Sequence, residues 1–156
     1  MKIRIVAVGT RMPSWVGAAV NDYQQRLPAE IAVDWREIRA EPRGDSGQAV
    51  SWMRREAERI RAALPAGARL VVLDERGRDL DTRQFAARLD AWRQDARPVA
   101  IVIGGPDGLD PELKRAAEET LRLSSLTLPH PLVRVLLAEQ LFRAWSVLAN
   151  HPYHRG

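Results

Sequence analysis

VAIVIGGPDGLDPEL, residues 99–113, is the stretch on which the fold turns. Five consecutive apolar residues open it. A strand with one wet face would alternate apolar and polar, so this run predicts a strand covered on both faces. Two glycines and a Pro-Asp-Gly turn follow. Asp110, Pro111 and Glu112 then supply a cap, a proline at the first helical position and an acid in the first turn, which together start a helix. Buried strand, tight turn and helix make the repeating unit of a parallel α/β sheet.

The same grammar extends in both directions. LVVL (70–73) predicts a second doubly covered strand. KIRIVAVG (2–9) puts Ile3, Ile5 and Ala7 on one face and stops at Gly9. A helix opening at Pro13 carries Val16, Ala19, Val20, Tyr23 and Leu27, and residues 31–38 alternate as a half-exposed strand. AEPRGDSG (40–47) is the clearest loop. The helix over 48–64 has an apolar stripe of Ala49, Met53, Ala57, Ile60 and Leu64. Arg54, Arg55, Arg59 and Arg61 lie elsewhere on it, mixed with Glu56 and Glu58, which reads either as an RNA-facing surface or as a solvated face. Asp81 with Gln84 forms a capping box for a helix lined by Phe85, Leu89 and Trp92. In LRLSSLTL (121–128) the leucine parity breaks at Ser124-Ser125, so a short strand bends there into a loop. Pro129-His130-Pro131 starts a last helix that runs to about Asn150. The resulting βαβαβαβαβα order predicts one α/β domain over residues 1–156, with a mainly parallel sheet flanked by helices.

That last helix is apolar around most of its circumference. Glu139, Arg143, Ser146 and Asn150 form one polar stripe, with Gln140 beside it and Arg134 off it. A surface helix needs an apolar face only somewhat over ~100° wide. Either this helix is buried in its own chain or it also packs on a second subunit; a chain of this length points to a homodimer through it.

Composition narrows the function classes. With 46% apolar and 28% charged residues the chain is globular rather than disordered or fibrous. There is no cysteine, which excludes disulfides, thiolate nucleophiles and iron–sulfur clusters. No apolar run approaches a membrane span, and the start is too short for a signal-peptide core, so a cytoplasmic protein is expected. The net charge is +4, and all but two of the 24 basic residues are arginine. That permits a nucleic-acid partner without requiring one, since genome composition also yields such a skew.

No G-x-G-x-x-G, Gly-rich loop ending in Lys-Ser/Thr, or G-x-S-x-G occurs, which removes the dinucleotide, P-loop and esterase readings. GGPDG at the end of a buried strand lets a ligand approach backbone, although a plain turn looks the same. His151 and His154 have a metal-like spacing but no adjoining acid, and His130 joins them only if the tail folds back, so no metal is expected. The tail NHPYHR brings Tyr153 as a stacking plane, His154 as a titratable donor and Arg155 as a phosphate fork, unless it is simply frayed.

VAVGT (6–10), IGGPDGL (103–109), LSSLTLPHPLVRVLLAEQLFRAWS (123–146) and NHPYHR (150–155) closely resemble the ribosomal RNA large-subunit methyltransferase H family. These are small SPOUT-class enzymes that methylate N3 of a pseudouridine in large-subunit ribosomal RNA. The resemblance covers essentially the whole chain, while residues 40–65 carry no signature. It implies an α/β fold with a C-terminal trefoil knot (the alpha-beta knot), an obligate homodimer and S-adenosylmethionine as cofactor. Carried over by position, cofactor contacts fall on Leu73, Gly104, Gly105, Leu123, Ser124, Ser125, Leu126, Thr127 and Leu128. Leu123, Leu126 and Leu128 would sandwich an adenine ring.

Uracil-type N3 carries a proton that must leave for methylation, so a base or proton sink is needed. In the expected mechanism the tail of one subunit closes over the cofactor of the other. His154 is the general-base or orienting candidate, Tyr153 stacks or hydrogen-bonds the flipped base, and Arg155 grips a phosphate. Glu139 and Arg143 either pair structurally or face the site. Two alternatives remain: a dimeric RNA-binding module that holds S-adenosylmethionine without methylating, and a SPOUT methyltransferase acting on transfer RNA.

Overall fold

The computed structural model describes residues 1–44 and 47–155. Five parallel strands form one sheet in the order β2-β1-β4-β3-β5. They are β1 (Lys2–Val8), β2 (Ala32–Ile38), β3 (Arg69–Asp79), β4 (Val99–Ile103) and β5 (Glu119–Arg122). Five helices alternate with them: α1 (Ser14–Gln25), α2 (Ala49–Ala63), α3 (Thr82–Asp95), α4 (Pro111–Ala116) and α5 (His130–Leu148). The expected order of elements is therefore the observed one. Residues 45 and 46 of the loop read at 40–47 lie outside the described residues.

β1 and β4 are central and β4 is buried throughout, as an unbroken apolar run requires. Ile5 and Val71 both stand level with Ile101. Strand alternation sends Ile3, Ile5, Val71 and Ile101 to one face, against Phe85, Leu89 and Trp92 of α3 and Leu137 and Leu141 of α5. Val6, Val72 and Val102 meet Ala57 and Ile60 of α2 and Leu113 of α4 on the other face. The two predicted caps form. Asp81 accepts from the Gln84 amide at 2.8 Å while Gln84 Oε1 accepts from the Asp81 amide at 2.9 Å, and Asp110 accepts from the Leu113 amide at 3.2 Å.

Four local expectations need correction. First, β3 does not stop at Leu73. It continues to Asp79 through a bulge, with Leu73 and Arg78 both aligned to Leu121. Gly77 makes this possible, because a Cβ there would lie 2.5 Å from the Leu121 carbonyl carbon. Second, β5 begins two residues before Leu121 and ends at Arg122, ahead of the parity break. Its first residue, Glu119, is held by Arg88 Nε at 2.6 Å and Trp92 Nε1 at 2.7 Å, which lets a carboxylate sit within the sheet.

Third, α5 is consumed in part within its own chain. It packs against both α1 and α3, and its polar stripe is not a solvated face. Ser146 is fully buried and donates back to the Arg143 carbonyl at 2.6 Å, and Arg134 is buried in an ion pair. Val135, Leu136, Val147 and Leu148 are only half-buried, so this chain covers the apolar surplus of α5 in part. The large apolar side chains still exposed near its start are Leu132 on α5 and Leu126 in the loop before it, with Trp15 at the start of α1. Fourth, Glu56 is not on a solvated face: it is buried beneath residues 41–43.

Candidate active site

A cleft of about 830 Å³ opens where the carboxyl ends of β1, β4 and β5 meet the bulge of β3. Open parallel sheets place ligands at this end, because strand-to-helix turns leave backbone groups free there. Of the residues expected to bind a cofactor, Leu73, Gly104, Gly105, Leu123, Ser124, Leu126, Thr127 and Leu128 line the cleft, and Ser125 does not. Both glycines sit where a side chain has no room. A Cβ on Gly104 would come within 2.9 Å of Leu109, and one on Gly105 within 3.0 Å of Val8. The turn closes through the Gly108 amide to the Gly105 carbonyl at 3.0 Å, with Gly108 in the left-handed region (φ 87°). The 123–128 loop offers an apolar wall, on which Leu126 is 75% exposed. Its backbone lies outside the sheet, and the Leu126 amide donates to Ser124 Oγ at 2.9 Å.

Sequence reasoning passed over several groups here. His130, weighed only as a metal ligand, lines the cleft from the first residue of α5. Its Nδ1 lies 3.0 Å from the Gly104 carbonyl, and Arg134 Nε donates to its Nε2 at 2.9 Å. The second bond makes Nε2 an acceptor, so Nδ1 carries the proton and donates to Gly104. Burial pushes this imidazole below its ordinary value, and the adjacent Arg134 charge pushes it the same way. Arg134 also donates to the Gly9 carbonyl at 2.7 Å and pairs with Glu37 at 2.6 Å. The ends of β1, β2 and β4 are thereby tied to one helix. Asp74, Arg76, Lys114 and Arg122 add charge to the cleft. Asp74 follows the LVVL run, Lys114 lies in α4 and Arg122 ends β5, so no single sequence pattern marked them as a set. Among the described residues, no three His, Asp or Glu side chains gather to hold a metal.

The other expected residues collect around Glu139 and Arg143, from the middle of α5 onward. Glu139 Oε1 accepts from Arg143 Nε at 2.7 Å and from the Tyr153 hydroxyl at 3.0 Å. The Arg143 guanidinium lies over the Tyr153 ring at 4.8 Å, and that ring packs on Phe142 at 4.5 Å. Burial, followed by the Glu139 carboxylate, pushes the Tyr153 hydroxyl up to about 12. It is therefore a held donor in this chain, with its ring already stacked. His154 Nδ1 is buried with no hydrogen-bond partner, and exposed Arg155 reaches Asn150 at 3.4 Å. Pro152–Arg155 form one 3-10 turn packed on α5, so the tail is not frayed.

One chain does not bring the two sets together. Along α5, Glu139 stands nine residues from His130, about 14 Å of helix axis. No described residue after Val133 lines the cleft.

A family model described as "Predicted SPOUT methyltransferase" matches residues 1–154. The chain is 59% identical over all 156 residues to a ribosomal RNA large subunit methyltransferase H from Burkholderia thailandensis, and 57% identical to one from Bordetella avium. Each comparison covers 100% of both proteins. Among solved structures, a probable methylase family protein from Haemophilus influenzae Rd KW20 matches with a TM-score of 0.56 at 20% identity, over 97% of this chain and 69% of that one. A probable methyltransferase from Bordetella pertussis Tohama I matches with a TM-score of 0.53 at 22% identity, over 91% and 95%. At those identities the structures speak for the fold alone.

Proposed function

The chain belongs to the SPOUT methyltransferase family, and from that premise we propose that it methylates large-subunit ribosomal RNA, on N3 of a pseudouridine, with S-adenosylmethionine as donor. The observation that carries this reading is the cleft. The GGPDG turn and the 123–128 loop, separated by α4 and β5, both line it. The relatives' names supply the substrate, and their full-length identity supports the transfer to this chain. One sheet built from the whole chain, and one family model over 154 residues, support a single domain. Among the described residues no helix is long and apolar enough to cross a membrane; a ribosomal substrate would place the protein in the cytoplasm.

The cleft fits the donor. Gly104 and Gly105 leave backbone within reach, and exposed Leu126 with Leu123 and Leu128 offers an adenine a slot. When bound, the donor supplies an electrophilic methyl group. The chain moves from β5 at the sheet edge to α5 over its centre, and His130 and Arg134 bond back to Gly104 and Gly9. This path supports the knot that the resemblance implies.

That no described residue after Val133 lines the cleft supports a homodimer in which one subunit's tail completes the other's cleft. Exposed Leu126, Leu132 and Trp15 on the segments around the cleft are apolar surface for the second copy to cover. His154, with its buried and unpartnered Nδ1, takes the N3 proton or orients the base. Tyr153 stays protonated near neutrality and so acts as a donor or stacking plane, held by Glu139 and Arg143. Arg155 is free to reach a phosphate.

The test is labelled S-adenosylmethionine with ribosomal particles, free ribosomal RNA or transfer RNA. Label in large-subunit RNA is expected. Label confined to transfer RNA, or tight donor binding with no transfer to any RNA, defeats the proposal. His154→Ala should keep S-adenosylhomocysteine binding and lose most turnover. Undiminished turnover would remove His154 from the mechanism.

A further inference from the structure

Residues 40–65 carry no family signature, yet they hold the most heavily bonded carboxylate near the cleft. Glu56 on α2 is 2% exposed. Its Oε2 accepts from the Glu41 amide at 2.8 Å and from Arg43 Nη1, and its Oε1 faces Arg43 Nη2 at 3.4 Å. The same guanidinium turns its remaining edge to the cleft: Nε and Nη2 reach Asp107 Oδ2 at 3.1 and 2.8 Å. Nη1 also donates to the Glu41 carbonyl at 2.6 Å. Every N–H of the Arg43 fork thus has an acceptor, and the Trp52 ring covers it at 5.3 Å.

Asp107 sits at the tip of the GGPDG turn. Gly105 in that turn rests against Val8 on one side and Glu56 Oε1 on the other, at 3.0 and 3.4 Å from where a Cβ would stand. A single arginine therefore bolts the tip of the turn to a buried carboxylate on a helix that packs under the sheet. Buried ion pairs are poor sources of stability compared with apolar packing, but their fork geometry fixes relative position. Ligand affinity depends on such position at the ångström level.

We propose that Arg43 is a positioning residue. By bridging Glu56 to Asp107 it sets the GGPDG turn at the spacing the methyl donor needs, so that it governs donor affinity rather than the chemical step. This rests on reading the cleft as the donor site.

The test begins with Asp107→Asn. That side chain is 34% exposed, and the change leaves the Arg43–Glu56 pair intact, so the chain should fold. S-adenosylhomocysteine affinity is measured by calorimetry, alongside donor KM, kcat at saturating donor and the melting midpoint. Losing one charge-assisted contact should raise the Kd and KM about tenfold, with kcat and melting unmoved and Asp107→Glu restoring most of the affinity. Arg43→Gln should weaken binding at least as much, and adding Asp107→Asn to it should weaken binding no further, because both act through one bridge. Unchanged affinity in Asp107→Asn overturns the proposal, as does an equal fall in kcat or full additivity in the double variant. A wild-type chain that binds no S-adenosylhomocysteine overturns the donor-site reading and the bridge with it. Normal wild-type binding with an indifferent Asp107→Asn overturns the bridge alone.

Discussion

His130 shows how one side chain joins stability to the site. Its neutral form donates to Gly104 and accepts from Arg134. Protonation would put a second N–H against the guanidinium. Since burial and Arg134 lower its native pKa, folding favours the neutral ring. This contribution is present above the unfolded value of about 6.5 and is lost as the pH falls through the lower native value. The denaturation midpoint should therefore drop on acidification below about pH 6.5, and His130→Gln should flatten that part of the curve. A variant with the wild-type slope would exclude His130 as its source. Tyr153 has the opposite sign. Its raised pKa stabilises the fold below about 10 and the effect fades as the pH rises towards about 12, which tyrosinate absorbance would follow.

At the level of elements, the β3 bulge is the feature that shapes the cleft wall. Residues 74–77 leave the ladder and return at Arg78, carrying Asp74, Glu75 and Arg76 to the rim. Lys114 from α4 pairs with Asp74 at 3.3 Å and ties the bulge to the helix after GGPDG. Gly77→Ala should cost at least ~2 kcal/mol by overpacking against the Leu121 backbone, measured by urea denaturation, and should widen the cleft enough to weaken donor binding. By contrast, Asp81→Ala removes the α3 cap, away from the cleft. It should cost about 1 kcal/mol and leave donor affinity unchanged in calorimetry. If the two variants behave alike, the bulge has no special place in the site.

For the whole molecule, the decisive feature is the separation of the cleft set from the tail set along α5. The cleft set ends at Val133 and the tail set gathers on Glu139 and Arg143, and on the proposed reading a tail serves another copy's cleft. Mixing two inactive variants tests this. His154→Ala subunits retain a good cleft, and Gly104→Ala subunits, whose new Cβ would strike Leu109, retain a good tail. Random exchange in a two-fold dimer would rebuild one working site in half of the molecules, returning about a quarter of wild-type activity. A mixture as inactive as its components would place each site within a single chain.

Period, punctuation and parity determined much of this protein directly from sequence. Residues 99–113 announced a central strand and its helix, the caps at Asp81 and Asp110 formed as spaced, and the broken leucine parity marked a loop that lines the cleft. Those signals are local, because a covered strand must be apolar and an unsatisfied helix end needs a cap. The family resemblance pointed to two loops that line the cleft. What no local pattern revealed were the pairings of distant groups: Arg134 with Gly9 and Glu37, Arg43 with Glu56 and Asp107, Gly77 with Leu121. α2's acids and arginines looked like any solvated helix face until the tertiary fold buried one of them. α5's apolar excess was visible in the sequence, while the α1 and α3 surfaces that cover part of it lie many residues away. Only the folded chain decides which charges lose water, and therefore which must find partners.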